Sequence, residues 1–195
     1  MANALVYNGQ LSCASEKVAS ARLRLPPKAL APLPSWMQRA LDPQRPVVLL
    51  DTDGVDGVGE TGESKDGSGR RSITNPGEAK IVCMLAVALI RSCRVALDSI
   101  GIICPYRSQV RLLRSILKGQ GVFPDPSRSP TDAPAASLEI DTVDKFQGKD
   151  KRVVLVGFVK GAGGHGIGNL LRDWRRINVA ITRPKEKIIF AGSCQ

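Results

Sequence analysis

Three stretches of this sequence bring together residue types that could do chemistry on phosphates or nucleotides. The first, Thr142 to Lys151, reads TVDKFQGKDK. A short strand that ends in a small hydroxyl and turns tightly presents that hydroxyl and backbone N–H groups, which can hold a phosphodiester without reading bases. An ordinary strand-to-helix turn with an aspartate cap has the same composition, so this stretch alone decides little. The second, Gly161-Ala162-Gly163-Gly164-His165-Gly166, fits a GxGxxG dinucleotide loop with Glu186 downstream. A ribose-binding acid belongs at the carboxyl end of the following strand, whereas Glu186 precedes the apolar run Lys187 to Ala191. The glycine run is therefore expected to be a flexible connection, with His165, the single histidine, a solvated loop residue. The third, PVVLLDTDG from Pro46 to Gly54, offers acids after an apolar run, as a magnesium-holding strand would. No GxxxxGK[ST] phosphate loop occurs in the sequence, so this stretch is expected to be a core strand with a polar exit.

Several elements must position these residues. Val153 to Val159 is short, apolar and rich in β-branched residues, which predicts a buried strand. Between Asp173 and Thr182, Trp174, Ile177, Val179, Ala180 and Ile181 recur at helical spacing, with Arg175 and Arg176 among them; Trp174 is expected in the core or at the cap. Ile188 to Ala191 is a second short apolar run. Strand, helix, strand at this length is one βαβ crossover, which implies parallel pairing and helices on the sheet faces. Upstream, Thr74 or Asn75 can cap a helix with Pro76 in its first turn and Glu78 at its positive end, running to about Arg94. Ser99 to Cys104 predicts a strand, and Tyr106 to Lys118 a basic amphipathic helix with Val110, Leu113 and Leu117 on one face. Leu138 to Thr142 predicts a further strand. Residues 55–71 and 119–136, rich in Gly, Ser, Asp and Pro, are expected to be disordered inserts.

A chain of 195 residues has room for one domain with a real core. Its longest apolar stretch, Ile81 to Ile90, is too short to span a bilayer, and the N-terminus lacks a secretory signal pattern, so no membrane partner is expected. Five cysteines without a CxxC pair argue against a zinc site or disulfide framework. Cys83, Cys93 and Cys104 sit among apolar residues and read as small buried hydrophobes. A net charge of +10 favours polyanionic partners as much as a merely solvated surface, and the clusters RSQVRLLRSILK and GKDKR tilt the reading towards nucleic acid.

TVDKFQGKDK resembles motif V of superfamily 1 helicases, and RRINVAITRPK resembles their motif VI. Two long motifs in the right order are a far more specific signal than either alone. With SIGIICPYRSQVRLL upstream, the resemblance is to the eukaryotic DNA replication ATP-dependent helicase/nuclease family and extends over most of the chain. It implies an α/β fold: a RecA-like (P-loop NTPase-type) domain with a mostly parallel sheet flanked by helices, lacking its own P-loop. Residues 46–195 would be the second RecA-like helicase domain. Residues 1–45 would be a remnant of the preceding region, starting after that family's motif IV arginine.

By resemblance, Arg183 is the catalytic arginine finger, reaching nucleotide held by the first domain. Gln147, Gly148 and Asp150 would approach the same nucleotide, Asp150 accepting from its ribose. Thr142, Tyr106, Arg107 and Gln109 would lie on the nucleic-acid track. Pro184 departs from the small residue usual after the finger; it cannot donate a backbone hydrogen bond and should end the helix there. The cofactors implied are ATP and Mg²⁺, held mainly by the first domain. The partners are single-stranded DNA and that first domain of the same full-length protein. The location implied is the nucleus, with mitochondria second. No nuclease carboxylate–lysine set and no iron–sulfur cysteine spacing is visible. The chain by itself is expected to be inactive as an ATPase. An RNA helicase of the same branch, a non-catalytic nucleic-acid-binding α/β module and a dinucleotide oxidoreductase are the competing readings.

Overall fold

Among the described residues the chain forms seven strands and five α-helices. A computed structural model describes residues 7–10, 12–58, 61–65, 71–123, 137–159 and 173–193. The elements are α1 (Glu16–Ala19), α2 (Ser35–Leu41), β1 (Val47–Asp51), β2 (Thr61–Lys65), β3 (Arg71–Thr74), α3 (Pro76–Arg91), β4 (Ile100–Cys104), α4 (Arg107–Gly119), β5 (Glu139–Thr142), β6 (Lys151–Gly157), α5 (Trp174–Thr182) and β7 (Pro184–Gly192). Five strands form one sheet in the order β1-β7-β6-β4-β5, and every pairing in it is parallel. Parallel sheets need cover on both faces, and the side chains divide accordingly. Ile102, Val153, Leu155, Ile189 and Ala191 face a core built with α2, α3 and α4. Their neighbours Ile103, Val154, Val156 and Ile188 face a second, smaller core with α5 and the 3₁₀ turn Val143–Phe146. The expected α/β fold with a mostly parallel, helix-flanked sheet is therefore observed.

The central strands β4 and β6 are buried on both faces, as their unbroken apolar runs require. Helix α3 starts where its cap dictates: the Asn75 side chain accepts from the Glu78 N–H at 3.0 Å, and Pro76 fills the first turn. Leu85 and Leu89 on its inner face are at most 1% exposed, each burial stabilising by about 1.5–3 kcal/mol. The helix ends at Arg91, earlier than the Arg94 expected, because Arg94 takes a left-handed φ of 56° and the Cys93 and Val95 N–H groups turn back onto Ala88 and Leu89. No helix among the described residues is long and apolar enough to cross a membrane.

Other expectations need correction. PVVLLDTDG is an edge strand: Val48 and Leu50 pack inward, whereas Val47 and Leu49 stay about half exposed. An edge strand has a neighbour on one side only. β2, inside the segment 55–71 expected to be a loop, pairs with β3 at the end of that segment as an antiparallel hairpin. Trp174 is 56% exposed, with the Arg175 guanidinium 5.0 Å from its ring centroid, so it is neither core nor cap; Asp173 caps α5. Leu23, Met37 and Leu41, from the segment 1–45, join the larger core. Cys83, Cys93 and Cys104 are buried as expected, and burial pushes the Cys83 thiol up to about 12. The glycine run 161–166, His165 and residues 124–136 lie outside the described residues.

Candidate functional site

The two motif segments meet at the amino ends of the central strands. β6 begins at Lys151 and β7 at Pro184, and these residues lie opposite each other. The Lys151 N–H donates to the Arg183 carbonyl at 3.0 Å, which sews the end of one motif to the end of the other. Arg183 is the last residue of the helical path. Pro184 ends that path and opens the strand, so the proline sits where a missing N–H costs least.

The Arg183 guanidinium is held by three bonds. Nε donates to the Val179 carbonyl at 3.1 Å, Nη2 to Thr182 Oγ1 at 2.9 Å and Nη1 to Asp150 Oδ1 at 3.0 Å. Five N–H donors less three leaves two, one on each terminal nitrogen. The side chain is 20% exposed and its Asp150 partner 49%. An arginine fixed through its base, with its two spare donors on the terminal nitrogens, is preorganised for oxygens of an external anion. Gln147, Gly148 and Lys149 form the adjoining exposed turn. Gly148 takes a φ of +79°, where a side chain would be strained, and open space surrounds its Cα. Lys185 Nζ is 4.0 Å from Asp150 Oδ2. Thus Gln147, Gly148, Asp150 and Arg183 are brought together. This set fits phosphate oxygens as one cationic wall of a site, and among the described residues no carboxylate cluster suited to a metal ion occurs.

The nucleic-acid candidates lie at the opposite end of the sheet. Cys104, the last residue of β4, pairs with Thr142, the last of β5, and Tyr106 and Arg107 follow immediately. Five residues of parallel strand separate the two ends by about 16 Å. Thr142 is 9% exposed and its N–H is held by Asp141 Oδ1 at 2.8 Å. Arg107, Arg111, Arg114 and Lys118 are exposed at spacings that put them on one side of α4. Gln109 departs from expectation. It is fully buried, and its amide accepts the Asn75 N–H at 2.9 Å and donates to the Asn75 carbonyl at 3.0 Å. A side chain occupied within the core has no surface to offer a nucleic acid.

The 3₁₀ turn Val143–Phe146 carries the chain from the carboxyl end of the sheet back to its amino end, alongside α5. Phe146 lies so close to β4 that a Cβ on Gly101 would be 2.8 Å from its ring. Arg176 Nε pairs with Asp144 Oδ1 at 3.1 Å, tying the turn to α5. At the amino end, Lys149 pairs with Glu139 at 2.7 Å and Lys151 donates to the Asp98 carbonyl at 2.8 Å. Glu186, the acid of the dinucleotide reading, pairs with Arg152 at 2.9 Å on β7. The residues that sequence reasoning undervalued are Asn75 and Glu78. Glu78 reads as an acid at the positive end of the helix but is 0% exposed, and burial raises its pKa to about 8 against the pull of the Val159 N–H. The wholly apolar run beginning at Ile81 was the available signal that the start of this helix is buried too.

Comparison with known proteins gives a consistent result. A family model described as an AAA domain matches residues 1–195. The chain is 37% identical over 202 residues to the DNA replication ATP-dependent helicase/nuclease DNA2 of Xenopus tropicalis. It is 35% identical over 195 residues to the DNA replication ATP-dependent helicase/nuclease JHS1 of Arabidopsis thaliana, and 34% identical over 200 to the dna2 protein of Schizosaccharomyces pombe. These alignments cover 98–99% of this chain. The chain spans only 17% of the frog protein's length and 13% of the other two.

Proposed function

Because this chain belongs to the AAA-domain family, as a RecA-like domain of the DNA2-like superfamily 1 helicases, we propose that it is the second motor lobe of an ATP-dependent DNA helicase/nuclease. The observation that carries this reading is Arg183, anchored at the QGKD turn with two donors left on its fork. ATP, with Mg²⁺, supplies the phosphoryl group and is held mainly by the first RecA-like domain of the same protein. Arg183 then stabilises negative charge on the oxygens around the transferred group, and its planar fork reaches two of them at once. Asp150 orients the guanidinium through Nη1, and its other carboxylate oxygen accepts from a ribose hydroxyl. At the other end of the sheet, Thr142, Tyr106 and Arg107 hold the backbone of single-stranded DNA without reading its sequence. Gln109 takes no direct contact. Opening and closing of the two lobes moves the strand. By the family resemblance, the protein works in the nucleus, with mitochondria as the second compartment.

Replacing Arg183 by alanine in the complete protein tests this. ATP turnover should fall by about 10³-fold or more, while nucleotide binding changes little. Equal turnover in wild type and variant would remove the assignment. The chain alone, without a P-loop, should show no appreciable DNA-stimulated hydrolysis.

A further inference from the structure

The start of α3 is a junction of buried polar groups that this account of hydrolysis leaves unused. Three distant parts of the chain meet there. Gln109, from the first turn of α4, grips the Asn75 backbone at both its N–H and its carbonyl. Asn75 Nδ2 donates to the Val159 carbonyl at 3.1 Å, and Glu78 Oε2 accepts the Val159 N–H at 2.8 Å. Val159, just past the end of β6, is thus held on both sides of its peptide backbone. It needs such holding, since its φ of 72° is a conformation β-branched residues avoid. Space is tight: a Cβ on Gly157 would lie 2.5 Å from Glu78 Oε1. Asn75, Glu78 and Gln109 are at most 2% exposed, and Glu78 Oε1 has no hydrogen-bond partner. Strained backbone held in place by its surroundings clusters at switch regions and ligand clamps. One arm of the junction is the turn bearing Tyr106 and Arg107. The other is the exit of β6, where Phe158 packs against the smaller core that includes Ala180 and Ile181 of α5, the helix that ends at Arg183.

We propose that Asn75, Glu78 and Gln109 are positioning residues that couple DNA occupancy at the Tyr106–Arg107 turn to hydrolysis at Arg183, by clamping and releasing the exit of β6. The inference rests on the motor-lobe reading. Strand entry at the turn shifts the amino end of α4; Gln109 passes the shift to Asn75, and Asn75 and Glu78 pass it to Val159. A Gln side chain reproduces the shape and the acceptor of a protonated Glu78, so the clamp tolerates that change and not truncation.

The test is ATP hydrolysis by the complete protein with and without saturating single-stranded DNA. Glu78→Ala and Asn75→Ala should keep basal turnover within twofold of wild type, lose at least tenfold of the DNA stimulation, and leave DNA affinity within threefold. Glu78→Gln should retain most of the stimulation. Gln109→Met, which keeps the volume and removes both bonds, carries the test if either truncation fails to fold, and should lose stimulation similarly. Stimulation unchanged in the folded variants, or basal and stimulated rates falling in parallel, would overturn the coupling role. Failure of the motor-lobe reading would appear separately, as normal turnover in Arg183→Ala.

Discussion

The two ends of the sheet are built on opposite principles. At the amino ends of β6 and β7, charged side chains pair at the surface, partly exposed: Arg183 on Asp150, Lys149 on Glu139, Arg152 on Glu186. Partly exposed pairs contribute little to stability; at this end they orient Arg183 and leave its two spare donors open to a ligand. At the carboxyl ends, Asn75, Glu78 and Gln109 are sealed from solvent and bonded to backbone. Breaking such bonds leaves buried groups unpaired, at about 1–3 kcal/mol each. In open α/β sheets the ligand crevice lies at the carboxyl ends of the strands. This chain keeps its nucleic-acid candidates there and puts its arginine at the other end, as a lobe must if it completes a nucleotide site anchored elsewhere.

The pH dependence of folding should sharpen this contrast most. Burial holds the folded pKa of Glu78 at about 8, well above its ordinary value of 4.5. The folded form therefore binds the proton more tightly, and the stability this gives is full below about pH 4.5 and lost as pH rises towards 8. The loss should be on the order of a few kcal/mol. Lys187, whose folded pKa burial lowers to about 8, has the opposite limb: its cost is full below pH 8 and relieved above it. Denaturant melts of wild type and Glu78→Gln from pH 5 to 8 should show a falling stability in the first and a flatter one in the second. Parallel curves would mean that the carboxyl end is not held by a protonated acid.

A smaller effect is expected at the amino end. Gly101→Ala would push a methyl against the Phe146 ring and Lys151 Cγ, where a Cβ meets atoms at 2.8 and 3.0 Å. Overpacking of this kind costs about 1–3 kcal/mol. Thermal melting should register that loss with no change in its pH dependence. An unchanged midpoint would show that the turn beside α5 is looser than the packing suggests.

The parallel sheet was legible because β4 and β6 carry short apolar runs rich in β-branched residues, as strands covered on both faces do. The Arg183 end was legible because a turn and a helix end carry their function in local sequence. What stayed hidden depends on partners far along the chain. Glu78 looks like any first-turn acid, and its burial comes from Val159, 81 residues away. Gln109 sits on a basic amphipathic helix next to two surface candidates, and its inward turn follows from helical phase against Asn75, 34 residues away. The half-exposure of Val47 and Leu49 is set by their place at the sheet edge, which composition does not encode.

The division of labour between the ends is tested most directly by measuring turnover and DNA affinity side by side, in the complete protein, for Arg183→Ala and Arg107→Ala. The first should abolish nearly all hydrolysis with single-strand affinity intact. The second should weaken binding, reduce the salt dependence of affinity by about one charge, and leave basal turnover unchanged. An Arg183→Ala protein that loses DNA affinity as steeply as it loses hydrolysis would contradict the account.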